Sequence, residues 1–148
     1  MPKTLFDKLW DLHRVADLGD GDYLIFIDRV FLHERTGSIA LESLADAGRS
    51  VRDPRRVFCT MDHIVDTYPG RGDDTEMPSG RDFIVATRSA TREAGIRLFD
   101  VRDPQQGIVH VISPELGIAL PGATVVCPDS HTCTLGGLGA LGWGIGST

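Results

Sequence analysis

At 148 residues, with 41% hydrophobic and 24% charged side chains, the chain is one globular domain's worth of sequence. Its formal net charge of −6 excludes the basic footprint of a nucleic-acid binder. No apolar run approaches the roughly 20 residues of a bilayer span, and the N-terminus lacks a secretory core. These features predict a cytoplasmic protein with neither nucleic acid nor membrane as partner, and the odd set Cys59, Cys127 and Cys133, without a Cys-x-x-Cys, fits a reducing compartment.

Thr4 and Asp7 form a capping-box pattern, which predicts an amphipathic helix over 5–15 with Leu5, Leu9 and Leu12 at helical spacing. His13 on that helix reads as a packing or surface residue. Residues 17–22 are turn material, and the apolar run 23–28 predicts a buried strand. A polar loop over 33–37 leads to a second helix capped by Ser38, with Ile39, Leu44 and Ala47 inward and Gly48 as its stop. The stretch 49–56 carries four arginines but is broken by Asp53 and Pro54, so it reads as a solvated connector.

Residues 56–60 predict a short strand. The Gly-, Pro- and charge-rich stretch 66–80 predicts a long exposed loop, of a length more often seen in functional lids than in idle connectors. A third helix is expected over 82–94, with Phe83, Thr87, Ala90 and Ala94 on one face and Gly95 ending it. Runs at 96–99, 108–112 and 124–127 predict three more strands, separated by turns around Pro104 and Pro114. Helices alternating with short buried strands indicate an α/β layered domain. Ser147-Thr148 reads as a helix N-cap with no helix after it.

Chemistry concentrates where strands end. The run 124–127 breaks at Pro128 and delivers Asp129, Ser130 and His131 in succession, while 56–60 is followed by Asp62 and His63. A carboxylate beside an imidazole holds one tautomer and tunes its basicity for proton transfer. Open α/β sheets bind ligands at the carboxyl ends of their strands. The same triplet is also ordinary turn and cap chemistry. His110 lies inside the apolar run 107–112, where a buried imidazole needs a partner. Two competing motifs fail on context. Gly137, Gly139 and Gly142 fit G-x-G-x-x-G, but the turn from the strand is too long and no acidic ribose partner follows, so close backbone packing is the better reading. Cys127 and Cys133 near His131 do not have zinc-site spacing.

In order, Met61-Asp62-His63, Gln106-Gly107-Ile108-Val109-His110, Leu120-Pro121-Gly122 and Asp129-Ser130-His131-Thr132 resemble the opening region of aconitase-type hydro-lyases, within them the isopropylmalate dehydratase branch. Lys3 to Leu9, Ile27-Asp28-Arg29 and His33-Glu34 fit as well, so the resemblance spans nearly the whole chain. It implies a three-layer α/β/α aconitase-type first domain covering residues 1–148, incomplete and inactive alone. It also implies dehydration and rehydration of a 2-hydroxy dicarboxylate in leucine biosynthesis at a [4Fe–4S] cluster, a Lewis acid for a poor leaving group. Carried over by position, Asp62, His63, His110, Asp129 and His131 are catalytic, and His33 and Ser130 bind substrate. No metal ligand is expected in this chain, because the family's cluster cysteines lie beyond residue 148. The remainder of the large subunit and a small subunit are the implied partners. Ile64 and Pro128 stand where isopropylmalate dehydratases carry Asn and Gly, so a related alkylmalate or homoaconitate is the alternative substrate. Two readings from other classes stand beside these: a self-contained metal hydrolase using Asp62, His63, His110, Asp129 and His131, and a non-enzymatic binding module.

Overall fold

The computed structural model describes residues 2–146. Its centre is a five-stranded parallel sheet in the order β5-β4-β3-β6-β7. The strands are Arg97–Phe99 (β5), Val57–Thr60 (β4), Arg29–His33 (β3), Thr124–Cys127 (β6) and Leu141–Gly144 (β7). Alternation along the strands builds two cores. Phe31, Val125 and Cys127 face one side, where Val109, Ile112, Ile118 and Leu135 cover them; Leu32 and Cys59 face the other, against Leu41, Val51 and Ala94. Helices α2 (Gly37–Asp46) and α3 (Gly80–Glu93) therefore cover one face, and α4 (Val109–Glu115) and the 3-10 segment Thr132–Leu138 cover the other. This is the expected three-layer α/β/α arrangement.

The strand order explains where ligand chemistry belongs. From β3 the chain steps through β4 to β5 in one direction, and from β6 to β7 in the other. Right-handed crossovers then place the connecting helices on opposite faces. The connections diverge between β3 and β6, which opens a crevice at their carboxyl ends.

Ahead of this sheet, α1 (Leu5–His13) runs straight into an antiparallel hairpin of β1 (Arg14–Gly19) and β2 (Asp22–Ile25). The capping box forms as expected: the Thr4 hydroxyl accepts from the Asp7 N–H at 3.1 Å, and the Asp7 carboxylate accepts from the Thr4 N–H at 2.8 Å. Buried His13 is a packing residue, as its sequence position suggested. Its Nδ1–H donates to the Leu9 carbonyl at 2.7 Å, and its Nε2 lies 2.8 Å from Asp28 Oδ2. The Asp28 carboxylate also accepts from the Thr124 N–H at 3.0 Å, which ties α1 to the start of β6.

Several elements differ from the sequence expectations. The run 23–28 is not the central strand: its first half is the exposed hairpin arm β2, and Val30-Phe31-Leu32 supplies the buried strand instead. Residues 108–112 form the start of a helix. Val109 and Ile112 fall one turn apart on the buried face while Val111 stays exposed, so packing overrides the β-branched preference. In α2, Ile39 and Ala47 are exposed and Leu41 packs inward, because the helix starts at Gly37 with Ser38 buried in its first turn. The loop over 66–80 is pinned at several points. Arg88 grips Asp73 and Asp100 at 2.6 Å each, and the Arg71 guanidinium donates to Gln106 Oε1. The N-cap expected at Ser147-Thr148 lies outside the described residues.

Candidate active site

All seven side chains singled out in the sequence gather at the carboxyl end of β3, β4 and β6. Parallel pairing sets His33 level with Thr60, so Asp62 and His63 emerge beside the end of β3. The His33 Nε2–H donates to the Pro128 carbonyl at 2.9 Å and so bridges the divergence point between β3 and β6. The His33 and His63 rings stack with centroids 3.8 Å apart and planes 19° from parallel.

Asp129 is the hub. Its Oδ2 lies 3.1 Å from His63 Nε2, its Oδ1 lies 3.1 Å from His110 Nε2, and Oδ1 accepts from the His131 N–H at 2.6 Å. The His110 contact is an ion-pair distance reached off the N–H axis, and His110 Nδ1 meets no partner among the described residues. His131 Nδ1 is 3.4 Å from the same carboxylate and 3.2 Å from Ser130 Oγ, and both side chains face solvent. On the opposite side of His63, Asp62 Oδ1 lies 2.7 Å from Nδ1, while Asp62 Oδ2 accepts from the Val109 N–H at 3.1 Å. His63 thus stands between two carboxylates. His110 reaches the cluster from α4, not from a strand interior. The Gly-rich stretch supplies β7, whose Gly142 and Gly144 sit against the backbone of 129–132.

Local charge sets opposite tendencies for the two stacked rings. The Asp62 hydrogen bond holds His63 in its charged form and raises it above the usual 6.5, although burial opposes this. Burial drives His33 below 6.5; its bond to Pro128 and the nearby carboxylates oppose the shift, while the His63 charge adds to it. Burial also works against ionisation of Asp129, but the His131 N–H and the His110 and His63 imidazoles hold it below the ordinary carboxylate range. Two histidine midpoints on opposite sides of 6.5 are therefore expected in ring-nitrogen NMR titrations. His63 stabilises the fold below 6.5, and that contribution is lost as pH rises through its raised midpoint. For His33 the contribution is present above 6.5 and is lost as pH falls through its depressed midpoint. Coincident midpoints would contradict the arrangement.

No metal cage emerges from these donors. Among the described residues, ligand atoms of His33, Glu34 and His63 come within 4.8 Å of one another. However, both Glu34 oxygens accept backbone N–H groups and both His63 nitrogens face carboxylates. Of the five donors of a self-contained metal hydrolase, Asp62 and Asp129 flank His63, while His110 Nδ1 has no partner among the described residues and His131 faces solvent; the five do not converge as one metal-binding group. Among the described residues no cysteine joins a group of converging metal donors either: Cys59 and Cys127 are buried in the sheet, where burial raises both thiols, and Cys133 stands exposed on the 3-10 segment.

Sequence reasoning assigned no task to Glu34. It is fully buried, and its carboxylate gathers the backbone at Asp62 and His63. The available signal was an acidic residue directly after the apolar run Val30-Phe31-Leu32, where burial demands partners.

Known proteins resemble this chain over nearly its whole length. The large subunit 1 of 3-isopropylmalate dehydratase from Bradyrhizobium diazoefficiens is 47% identical over 146 residues, covering 99% of this chain and 30% of that protein. The large subunit of 3-isopropylmalate dehydratase from Thermus thermophilus is 46% identical over 148 residues, covering 100% of this chain and 31% of that protein. The chain thus spans about 30% of the length of these relatives. No helix among the described residues is long and apolar enough to cross a membrane. Residues 7–148 match the model of the aconitase family (aconitate hydratase), whose members generally use a [4Fe–4S] cluster, and the chain belongs to that family.

Proposed function

We propose that this chain supplies the Asp–His face of a hydro-lyase active site that interconverts 2- and 3-isopropylmalate by dehydration and rehydration, a step of leucine biosynthesis. The observation that carries this reading is the Asp129 carboxylate held between His63 and His110 at the β3–β6 divergence. A hydroxyl departs as water only when a proton reaches it. His63, kept charged by Asp62, is the proton donor of the set. Asp129 orients His63 and His110 and, with His131, forms the second Asp–His pair. Ser130 and His131, exposed at the rim, and His33 receive the substrate's carboxylates. Cluster ligands come from other parts of the whole large subunit, and a small subunit completes the enclosure.

The test uses the whole large subunit with its small subunit, loaded with iron and sulfide. Conversion of 2- to 3-isopropylmalate through an ultraviolet-absorbing unsaturated acid is expected. Preference for another alkylmalate or for homoaconitate would move the substrate assignment, and failure to dehydrate any 2-hydroxy di- or tricarboxylate would overturn the reading.

A further inference from the structure

We propose that Glu34 is a positioning residue for His63: its buried carboxylate collects three consecutive backbone N–H groups and fixes the turn that carries the Asp62–His63 pair. Oε2 accepts from the Asp62 N–H at 3.0 Å, while Oε1 accepts from the His63 N–H at 2.7 Å and also from the Ile64 N–H. Glu34 is 0% exposed. Its own backbone is anchored from α3, where the Thr87 hydroxyl donates to the Glu34 carbonyl at 3.2 Å.

The geometry requires a carboxylate. Three N–H donors converge on two oxygens, and both oxygens must accept. Glutamine has the same shape but would turn an –NH2 toward at least one backbone N–H, leaving a buried donor unpaired. An alanine would strand all three amides where β4 runs into the turn. This seat also explains a buried acid next to a histidine that must point outward. His63 is faced by Asp62 and Asp129, stacked on His33 and mounted on amides that Glu34 holds, so freeing those amides lets the imidazole leave the line between its two carboxylates. Glu34's charge additionally favours the protonated ring.

The effect on turnover rests on the hydro-lyase reading, whereas the backbone seat does not. In the 148-residue chain, Glu34→Gln is expected to speed amide exchange at Asp62, His63 and Ile64 by roughly tenfold or more. It should also move the His63 midpoint down toward its ordinary value, with the Phe31 and Val125 amides unchanged. Unaltered exchange at the three amides together with an unaltered His63 midpoint would overturn the proposal. Should Glu34→Gln fail to fold, the wild-type chain gives the answer. Through-hydrogen-bond coupling is expected between the Glu34 carboxyl carbon and the Asp62, His63 and Ile64 amide nitrogens, and its absence at all three would overturn the proposal. In the whole enzyme Glu34→Gln is expected to lower kcat with little change in KM, and wild-type turnover would count against the positioning role. A wild-type enzyme without hydro-lyase activity would instead overturn the functional reading and leave the amide result standing.

Discussion

Replacing Asp129 with asparagine is expected to lower turnover of the whole enzyme by about 10²–10⁴-fold, the usual scale for losing an acid–base group, while the fold survives. The substitution conserves shape, so circular dichroism and the melting curve should change little. What changes is the charge and the donor–acceptor pattern. The Asp129 carboxylate accepts from the His131 N–H at 2.6 Å and lies at an ion-pair distance of 3.1 Å from both His63 Nε2 and His110 Nε2. An amide offers one acceptor and one –NH2, so at least one of these partners faces a donor. The His63 midpoint should fall as well, because the carboxylate charge beside its Nε2 is gone. Steady-state turnover with the histidine titration provides the check, and an Asp129→Asn enzyme of wild-type turnover would remove Asp129 from the mechanism.

The second large effect comes from a residue without a side chain. Gly144→Ala is expected to destabilise the fold by about 1–3 kcal/mol and to displace the Asp129 loop. A Cβ at Gly144 would lie 2.6 Å from the Asp129 carbonyl oxygen and 3.2 Å from the Ser130 Cα. Both are backbone atoms, so no rotamer change relieves the overlap. A chain of this size loses about 2–4 °C of melting temperature per kcal/mol. Gly136→Ala is the matched control, since a Cβ there meets nothing within 4 Å. Equal melting temperatures for the two variants would contradict this account.

These two residues also mark what could be read from sequence. The run Thr124–Cys127 was legible as a strand because all four positions are buried and β-branched or small, and the Asp129-Ser130-His131 delivery followed from its end. Asp62-His63 was legible in the same way after β4. The position of His110 was not: Val109, Val111 and Ile112 look like a strand locally, and only the depth of the core beneath Val109 and Ile112 selects a helix. The central strand escaped notice because Tyr23 to Ile27 is the more apolar run, yet its first part, up to Ile25, forms an arm of the peripheral hairpin, whereas Val30-Phe31-Leu32 is flanked by Arg29 and His33. β7 was hidden for a different reason. Its glycines are chosen by how close the 129–132 backbone comes, a distance with no local signature. Glu34 belongs to the same class, as its partners lie 28 to 30 residues further along the chain.

β6 occupies the slot between β3 and β7, and its first residue bonds to Asp28, 96 positions earlier in the chain. The flank of β3 that receives it therefore stands unpaired while β4, β5 and three helices are being made. Closing so long a loop is slow relative to local pairing. An open strand flank during that interval is a template for pairing with another nascent chain. Prompt seating of Thr124 on Asp28 thus protects the newly made protein from clumping as well as bringing Asp129 to His63.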